Sequence, residues 1–276
     1  MTMIAVDGVS AVSDMVDNHL SVCVLASGSR GNATYVSDGR HAILVDAGLS
    51  GVEIQRRMAV KGLTPESLNA ILVSHEHIDH IQGVGVLSRR FGLPVYINDA
   101  TRQASGGALG KLSGIYPFTC GQPFAIGGMT IHPFSISHDA EDPAAFTIAC
   151  HQAKVGVATD LGIVTSVVKT HLKACDVLIL EANHDPRMLI DGPYPWPLKQ
   201  RIRGRSGHLS NDDTAHLLET ILHDRLAYVI LAHLSEENNT PQKARQAVAS
   251  VLNVNGARVN VHVASQATGS RLLTLR

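Results

Sequence analysis

The chain has 276 residues, 45% of them hydrophobic and 17% charged, with 24 Gly and 11 Pro; this is globular composition and excludes a collagen-like, coiled-coil or wholly disordered chain. A formal net charge of −1, from 23 Lys and Arg against 24 Asp and Glu, excludes a global basic field, so any anionic ligand must be held by a local patch. No apolar run reaches the roughly 18–20 residues of a membrane span, and the N-terminus has no basic segment leading into an apolar one.

Residues 1–20 show weak periodicity and read as a loose extension. Residues 21–276 read as one domain, because no Pro/Ser-rich linker or low-complexity tract divides them. Strand patterns come first at Ser21–Ala26, Ala42–Asp46, Ala70–Ser74 and Pro94–Ile97, with helical patterns at Val52–Val60, Ile81–Phe91 and Ala100–Leu109. A second series follows. Its strands are Met129–Ser137, Ala145–Ala149, Lys154–Thr159, Val177–Glu181, Tyr228–Ala232 and Arg258–Val263, and its helices Ile163–Leu172, Asn211–His223 and Pro241–Leu252. Several strands are nearly continuous Val, Ile and Leu, as in sheets covered on both faces, so the alternation predicts a layered α/β protein. Residues 98–128 and 183–207 are loop-rich and read as substrate loops. Cys23, Cys120, Cys150 and Cys175 form no C-x-x-C pair and read as reduced thiols of a cytoplasmic protein.

Chemistry concentrates in Ser74-His75-Glu76-His77-Ile78-Asp79-His80, which follows the buried-strand pattern and is followed by Gly83. Three imidazoles and a carboxylate within six residues suit Zn²⁺, Mn²⁺ or Fe²⁺. In an extended turn His75 and His77 point the same way, because side-chain direction repeats every two residues. Asp79 and His80 lie past the bend, within reach of a second ion.

This segment resembles the signature H-x-H-x-D-H-x-x-G of the metallo-β-lactamase-fold hydrolases. The resemblance implies an αββα sandwich and assigns further positions. Asp46 would orient the metal site from behind, His138 would be the third imidazole of the first ion, Asp160 would bridge both ions and His233 would serve the second. The implied set is then His75, His77 and His138 on one ion, Asp79, His80 and His233 on the other, and Asp160 on both. Two such cations sharing a water leave hydroxide as nucleophile, with Asp79 orienting it, so no Ser or Cys nucleophile is needed.

The fold hosts many hydrolases, so the substrate must be read from other residues. Ser27-Gly28-Ser29-Arg30-Gly31-Asn32 follows the first strand, and it reads either as an anion-facing loop using Ser27, Ser29 and Asn32 or as a plain tight turn. Glu181 and His208 resemble the acid–imidazole pair of the ribonuclease Z branch and would protonate the leaving group; the alternative is a helix-terminus His208 and a structural Glu181. Lys199, Arg201, Arg203 and Arg205 alternate, which reads either as cations on one face of an extended segment, toward phosphates, or as a solvated charge run. Tyr194-Pro195-Trp196-Pro197 reads as a rigid loop packed by its own aromatics, with base stacking by Trp196 the alternative.

From Ser21 onward the strings Leu-Ala-Ser-Gly-Ser-x-Gly-Asn-Ala-Thr, Glu-Ala-Asn-His-Asp and Gly-His-Leu-Ser-Asn are similar to the YycJ/WalJ-like branch. That resemblance implies a phosphodiesterase, exonuclease-like, on nucleic acid or a small phosphodiester, with two divalent ions. The alternatives are a lactonase, thioesterase or β-lactamase-like enzyme of the same fold, or a non-catalytic metal-bearing regulatory protein. No tRNA-binding arm is evident, and the sequence sets no oligomeric state.

Overall fold

The computed structural model describes residues 19–275. Of the extension expected over residues 1–20, residues 1–18 lie outside the described residues, and Leu20 already belongs to the first strand. One sheet sets β1 (Leu20–Ala26), β2 (Ala33–Ser37), β3 (Ala42–Val45), β4 (Leu68–Leu72), β5 (Pro94–Tyr96) and β6 (Gly114–Tyr116) side by side. The other sets β7 (Phe124–Ile126), β8 (Met129–Ser135), β9 (Ala144–Cys150), β10 (Ala153–Ala158), β11 (Val177–Glu181), β12 (Tyr228–Ala232) and β13 (Asn260–Val263) in the same way. The last strand, β14 (Leu273–Leu275), returns to the first sheet and pairs antiparallel with β1. Both sheets share one plan. Antiparallel strands come first, up to β3 and up to β10, and parallel strands follow.

Parallel neighbours need crossovers, and helices supply them. On the first sheet these are α1 (Gly51–Val60), α2 (Ile78–Ile81), α3 (Val84–Phe91) and α4 (Asp99–Ala104). On the second they are α5 (Ser166–Leu172), α6 (Pro186–Asp191), α7 (Trp196–Arg203), α8 (Asn211–Ile221) and α9 (Pro241–Val254). Local chemistry fixes their starts. Ser210 caps α8 through a reciprocal capping box with Asp213, and Thr240 caps α9 ahead of Pro241.

Alternation within strands decides the layers. Val22, Val24, Ile43, Val45, Ile179 and Ile230 face inward and, with Phe146, Ile148 and Val155, form the core between the sheets. Their neighbours Cys23, Leu25 and Leu44 face outward onto Ile54, Met58 and Leu87 of α1 and α3. Leu178, Leu180, Val229 and Leu231 face outward onto Leu217, Leu218, Val248 and Leu252 of α8 and α9. Burial on both faces is why these strands carry no polar alternation, and the result is the expected αββα sandwich.

Strands β2, β6, β7 and β14, helices α6 and α7, and α2 apart from its last residue were not predicted. The correction that matters most is α7. The segment with alternating Lys199, Arg201 and Arg203 is helical, so residues two apart point about 200° apart and share no face. All four cysteines are free thiols. Among the described residues no helix is long and apolar enough to cross a membrane.

Candidate metal centre

The chemistry-bearing residues sit at strand ends that face one rim of the sandwich. Asp46 follows β3 directly, the His75–His80 segment follows β4, His138 follows β8, Asp160 follows β10, Glu181 ends β11 and His233 follows β12. Asp46, Asp160 and His233 have left-handed backbones, with φ of 60°, 59° and 55°. Such turns are sparsely populated by residues other than Gly and cluster where a side chain must be aimed.

Four of the imidazoles, those of His75, His80, His138 and His233, are held from behind by one ring nitrogen. His75 Nδ1 lies 2.9 Å from Ser74 Oγ, and His80 Nδ1 lies 2.8 Å from Asp46 Oδ2. Asp46 also accepts the Ser74 backbone N–H and hydroxyl, both at 2.8 Å. His138 Nδ1 donates to the Gly207 carbonyl at 3.2 Å, and His233 Nδ1 to Glu181 Oε1 at 2.9 Å. Backing of this kind fixes tautomer and ring orientation for metal ligands.

The free ends converge. His75, His77 and His138 each offer an atom within 4.8 Å of the others, and so do Asp79, His80 and His233. Asp160 joins His75 and His80 in a third such group, and Glu181, His208 and His233 in a fourth. Its carboxylate stands 3.3 Å from His80 Nε2 and 3.5 Å from His233 Nε2. His75 Nε2, His233 Nε2 and Asp160 Oδ2 are buried and make no hydrogen bond. Buried polar atoms left unpaired are costly and uncommon. Three of them aimed into one small volume, all of metal-ligating type, fit a divalent cation there.

The electrostatics agree. Burial and neighbouring His80 hold His75 well below the ordinary imidazole range. Burial alone would also lower His80 and His233, but carboxylates outweigh it. Asp160 and Asp46 raise His80 well above its usual value, and Asp160, Asp79 and Glu181 raise His233 to about 10. Burial opposes the ionisation of Asp160, yet His233 and His80 hold it well below the carboxylate range. The cluster is therefore carboxylate-rich and draws positive charge to itself.

Glu181 is fully buried. It is brought down to about 2 because hydrogen bonds and charge from His208 and His233 exceed its desolvation. Its Oε1 lies 2.8 Å from His208 Nδ1, so the structure brings the expected acid–imidazole pair together. Its contact with His233 was not foreseen; it depends on the pairing of β11 with β12, 52 residues away in sequence. The role of Ser74 was also missed, since a serine beside the motif carries no signal of its own.

Other expectations change. In the Ser27–Asn32 loop four backbone N–H groups are taken up within the protein. The N–H groups of Gly28, Arg30, Gly31 and Asn32 donate to Asn32 Oδ1, Gln266 Oε1, the Gly28 carbonyl and the Asp79 carbonyl. Ser27 is buried and accepts the His233 N–H at 2.7 Å, and Asn32 is buried with Nδ2 3.0 Å from His80 Nε2. Only Ser29 of the three reaches the cavity of about 270 Å³ over the cluster. That cavity is also lined by His77, Asp79, Asp160, His208 and Tyr194. Of the three arginines only Arg201 lines it, paired with Asp139 at 2.8 Å, while Arg203 and Arg205 lie outside its lining and Lys199 is buried, its Nζ on the Ile190 and Gly192 carbonyls.

A sequence profile described as the β-lactamase superfamily domain matches residues 41–233. The chain belongs to that superfamily. Exodeoxyribonuclease YycJ of Bacillus anthracis is 38% identical over 239 residues, covering 86% of this chain and 90% of the relative. Exodeoxyribonuclease WalJ of Streptococcus pneumoniae is 40% identical over 233 residues, covering 83% and 87%. The solved structure of the metallo-β-lactamase-fold protein YhfI from Bacillus subtilis superposes with a TM-score of 0.73 at 19% identity, over 94% of this chain and 100% of that one. The superfamily fold and the YycJ/WalJ-like resemblance read from the sequence are therefore both borne out.

Proposed function

We propose that this superfamily member is a phosphodiesterase using two divalent metal ions, and that it works as an exonuclease on DNA in the cytoplasm. The observation that carries the reading is the convergence of His75, His77, Asp79, His80, His138, Asp160 and His233 with three orphaned ligand-type atoms among them. Two relatives at 38% and 40% identity, both called exodeoxyribonucleases, support DNA as substrate. The four free thiols support a reducing compartment.

His75, His77 and His138 would hold one ion, Asp79, His80 and His233 the other, and Asp160 both. Bound there, Zn²⁺ or Mn²⁺ (Fe²⁺ suits the same donors) supplies acidified water and neutralises charge building on the attacked phosphate. Asp79 aligns the attacking water by accepting one of its hydrogen bonds. Arg201 and Ser29, on the cavity wall, hold non-bridging phosphate oxygens. His208, steadied by Glu181 through Nδ1, gives a proton from its other nitrogen to the leaving oxygen.

The test is activity on end-labelled single- and double-stranded DNA and RNA with each metal, against an Asp79→Ala control. Stepwise shortening of DNA from an end, abolished in the control, is expected. A metal-replete protein that leaves every phosphodiester intact would overturn the reading.

A further inference from the structure

A second hollow, of about 780 Å³, adjoins the metal cavity. Ser29 lines the first and Arg30 the second, and Ser235 lines both. The wall of the second hollow holds three guanidinium groups, Arg30, Arg57 and Arg245, against the one carboxylate of Glu236. Apolar side chains, among them Leu49, Leu234 and Val263, complete it.

The three arginines differ in what they are free to do. Arg57 is a structural post. It donates to the Leu25 and Gln266 carbonyls at 3.0 and 2.6 Å and pairs with Glu53 at 2.7 Å. Arg30 is anchored by its backbone N–H on Gln266, while its exposed guanidinium pairs with Glu236. Exposed pairs of this kind are weak and exchange readily for a better anion. Arg245, exposed on α9, makes no hydrogen bond or salt bridge among the described residues. A chain of net charge −1 needs a local patch to hold a polyanion, and this one lies beside the phosphodiester site.

We infer that the hollow binds the single-stranded nucleotides flanking the phosphodiester at the metal cavity. Their phosphates meet Arg30 and Arg245, and a base lies against the apolar wall. A single strand fits because its base faces are exposed, whereas a duplex stacks them away. A small inorganic anion would leave the apolar wall without a partner. The assignment rests on the phosphodiesterase reading.

The experiment is fluorescence anisotropy of a labelled single-stranded DNA decamer against the full chain in EDTA, which separates binding from turnover. Arg245→Glu should weaken binding about tenfold or more, and Arg30→Ala should weaken it less. Arg245→Lys should recover most of the affinity, and the salt slope should fall by about 1 in Arg245→Glu. Unfolding midpoints of the variants show that they are folded. Unchanged affinity and salt slope in Arg245→Glu would overturn the inference, as would equal competition by a duplex of the same length. Turnover of bis-p-nitrophenyl phosphate by the metal-loaded wild type reports separately on the phosphodiesterase reading, so the two can fail independently.

Discussion

Replacing Glu181 by Gln keeps the shape of the side chain and removes one acceptor oxygen. In the native site Oε2 accepts the N–H groups of Leu161 and Leu209 at 2.9 and 3.0 Å, and Oε1 faces His208 and His233 at 2.8 and 2.9 Å and accepts the Asp160 N–H at 3.3 Å. The amide nitrogen must take one of these places. If it replaces Oε2, two buried backbone donors lose their acceptor, at about 1–3 kcal/mol each, so the fold loses about 2–6 kcal/mol. If it replaces Oε1, the buried Asp160 N–H loses its acceptor, at about 1–3 kcal/mol, and both imidazoles must accept at Nδ1. His233 then carries its proton on Nε2, the nitrogen aimed at Asp79 and Asp160, and it can no longer ligate there. Loss of such a backing group typically costs ~10–100-fold in metal affinity. The variant should therefore unfold earlier in either case, and in the second case also bind metal more weakly. Chemical denaturation in EDTA and metal titration by calorimetry separate the two routes. A Glu181→Gln protein that matches the wild type in both would refute the argument that Glu181 orients His233.

Three further outcomes follow from other residues. His208→Ala should keep its metal content by elemental analysis yet lose ~10²–10⁴ in turnover on DNA, and much less on an aryl phosphodiester whose leaving group needs no proton. Gly48→Ala should cost at least about 3 kcal/mol by thermal unfolding, because a Cβ there would stand 1.5 Å from the Asp79 carbonyl oxygen and displace the turn that carries Asp79. Burial pushes the His184 imidazole down to about 4, against the pull of Glu181. Since its folded pKa lies below the unfolded value of 6.5, the unfolded chain binds the extra proton and stability is lost as pH falls from 6.5 toward 4. Between pH 7 and 5, His184→Asn should gain on the wild type by about 2 kcal/mol in denaturant titrations, and parallel pH profiles would contradict this.

Much of this architecture is legible in the sequence because buried strands leave a simple mark. Ile43-Leu44-Val45, Ile71-Leu72-Val73, Val177-Leu178-Ile179-Leu180 and Val229-Ile230-Leu231 are apolar on both faces, and each is followed within three residues by a residue of the candidate centre. The short edge strands β6, β7 and β14, three residues each, have too little pattern to be seen. β2 is fully buried but carries Thr34 and Ser37, so its composition conceals it. Helix α7 begins among Pro195 and Pro197, and its cations alternate with a strand's period; the helix follows from the prolines' place in its first turn. The polar residues of the Ser27–Asn32 loop were ambiguous in the sequence for a related reason. Ser27 and Asn32 are polar because they hold His233 and His80, contacts that exist only once distant strands have paired.

The candidate centre is in this sense a product of sheet register. In the second sheet Ala158 pairs with Leu180, and Leu180 with Leu231, so β10, β11 and β12 end level with one another. Glu181 then sits opposite Ala232, and the residue after Ala232 is His233, within reach of the Glu181 carboxylate. Two residues beyond Ala158 comes Asp160, which completes a row across three adjacent parallel strands. A slip of one residue in either pairing would turn every side chain of that strand to the opposite face, burying polar groups in an apolar layer and removing a ligand. The left-handed turns at Asp160 and His233, each costing of order 1–3 kcal/mol, then swing both side chains out of the strand direction toward the His75–His80 segment of the other sheet. The apolar runs that build the two cores therefore also set where the ligands meet, and substitutions that shift β10 or β12 should disable the centre without touching any residue in it.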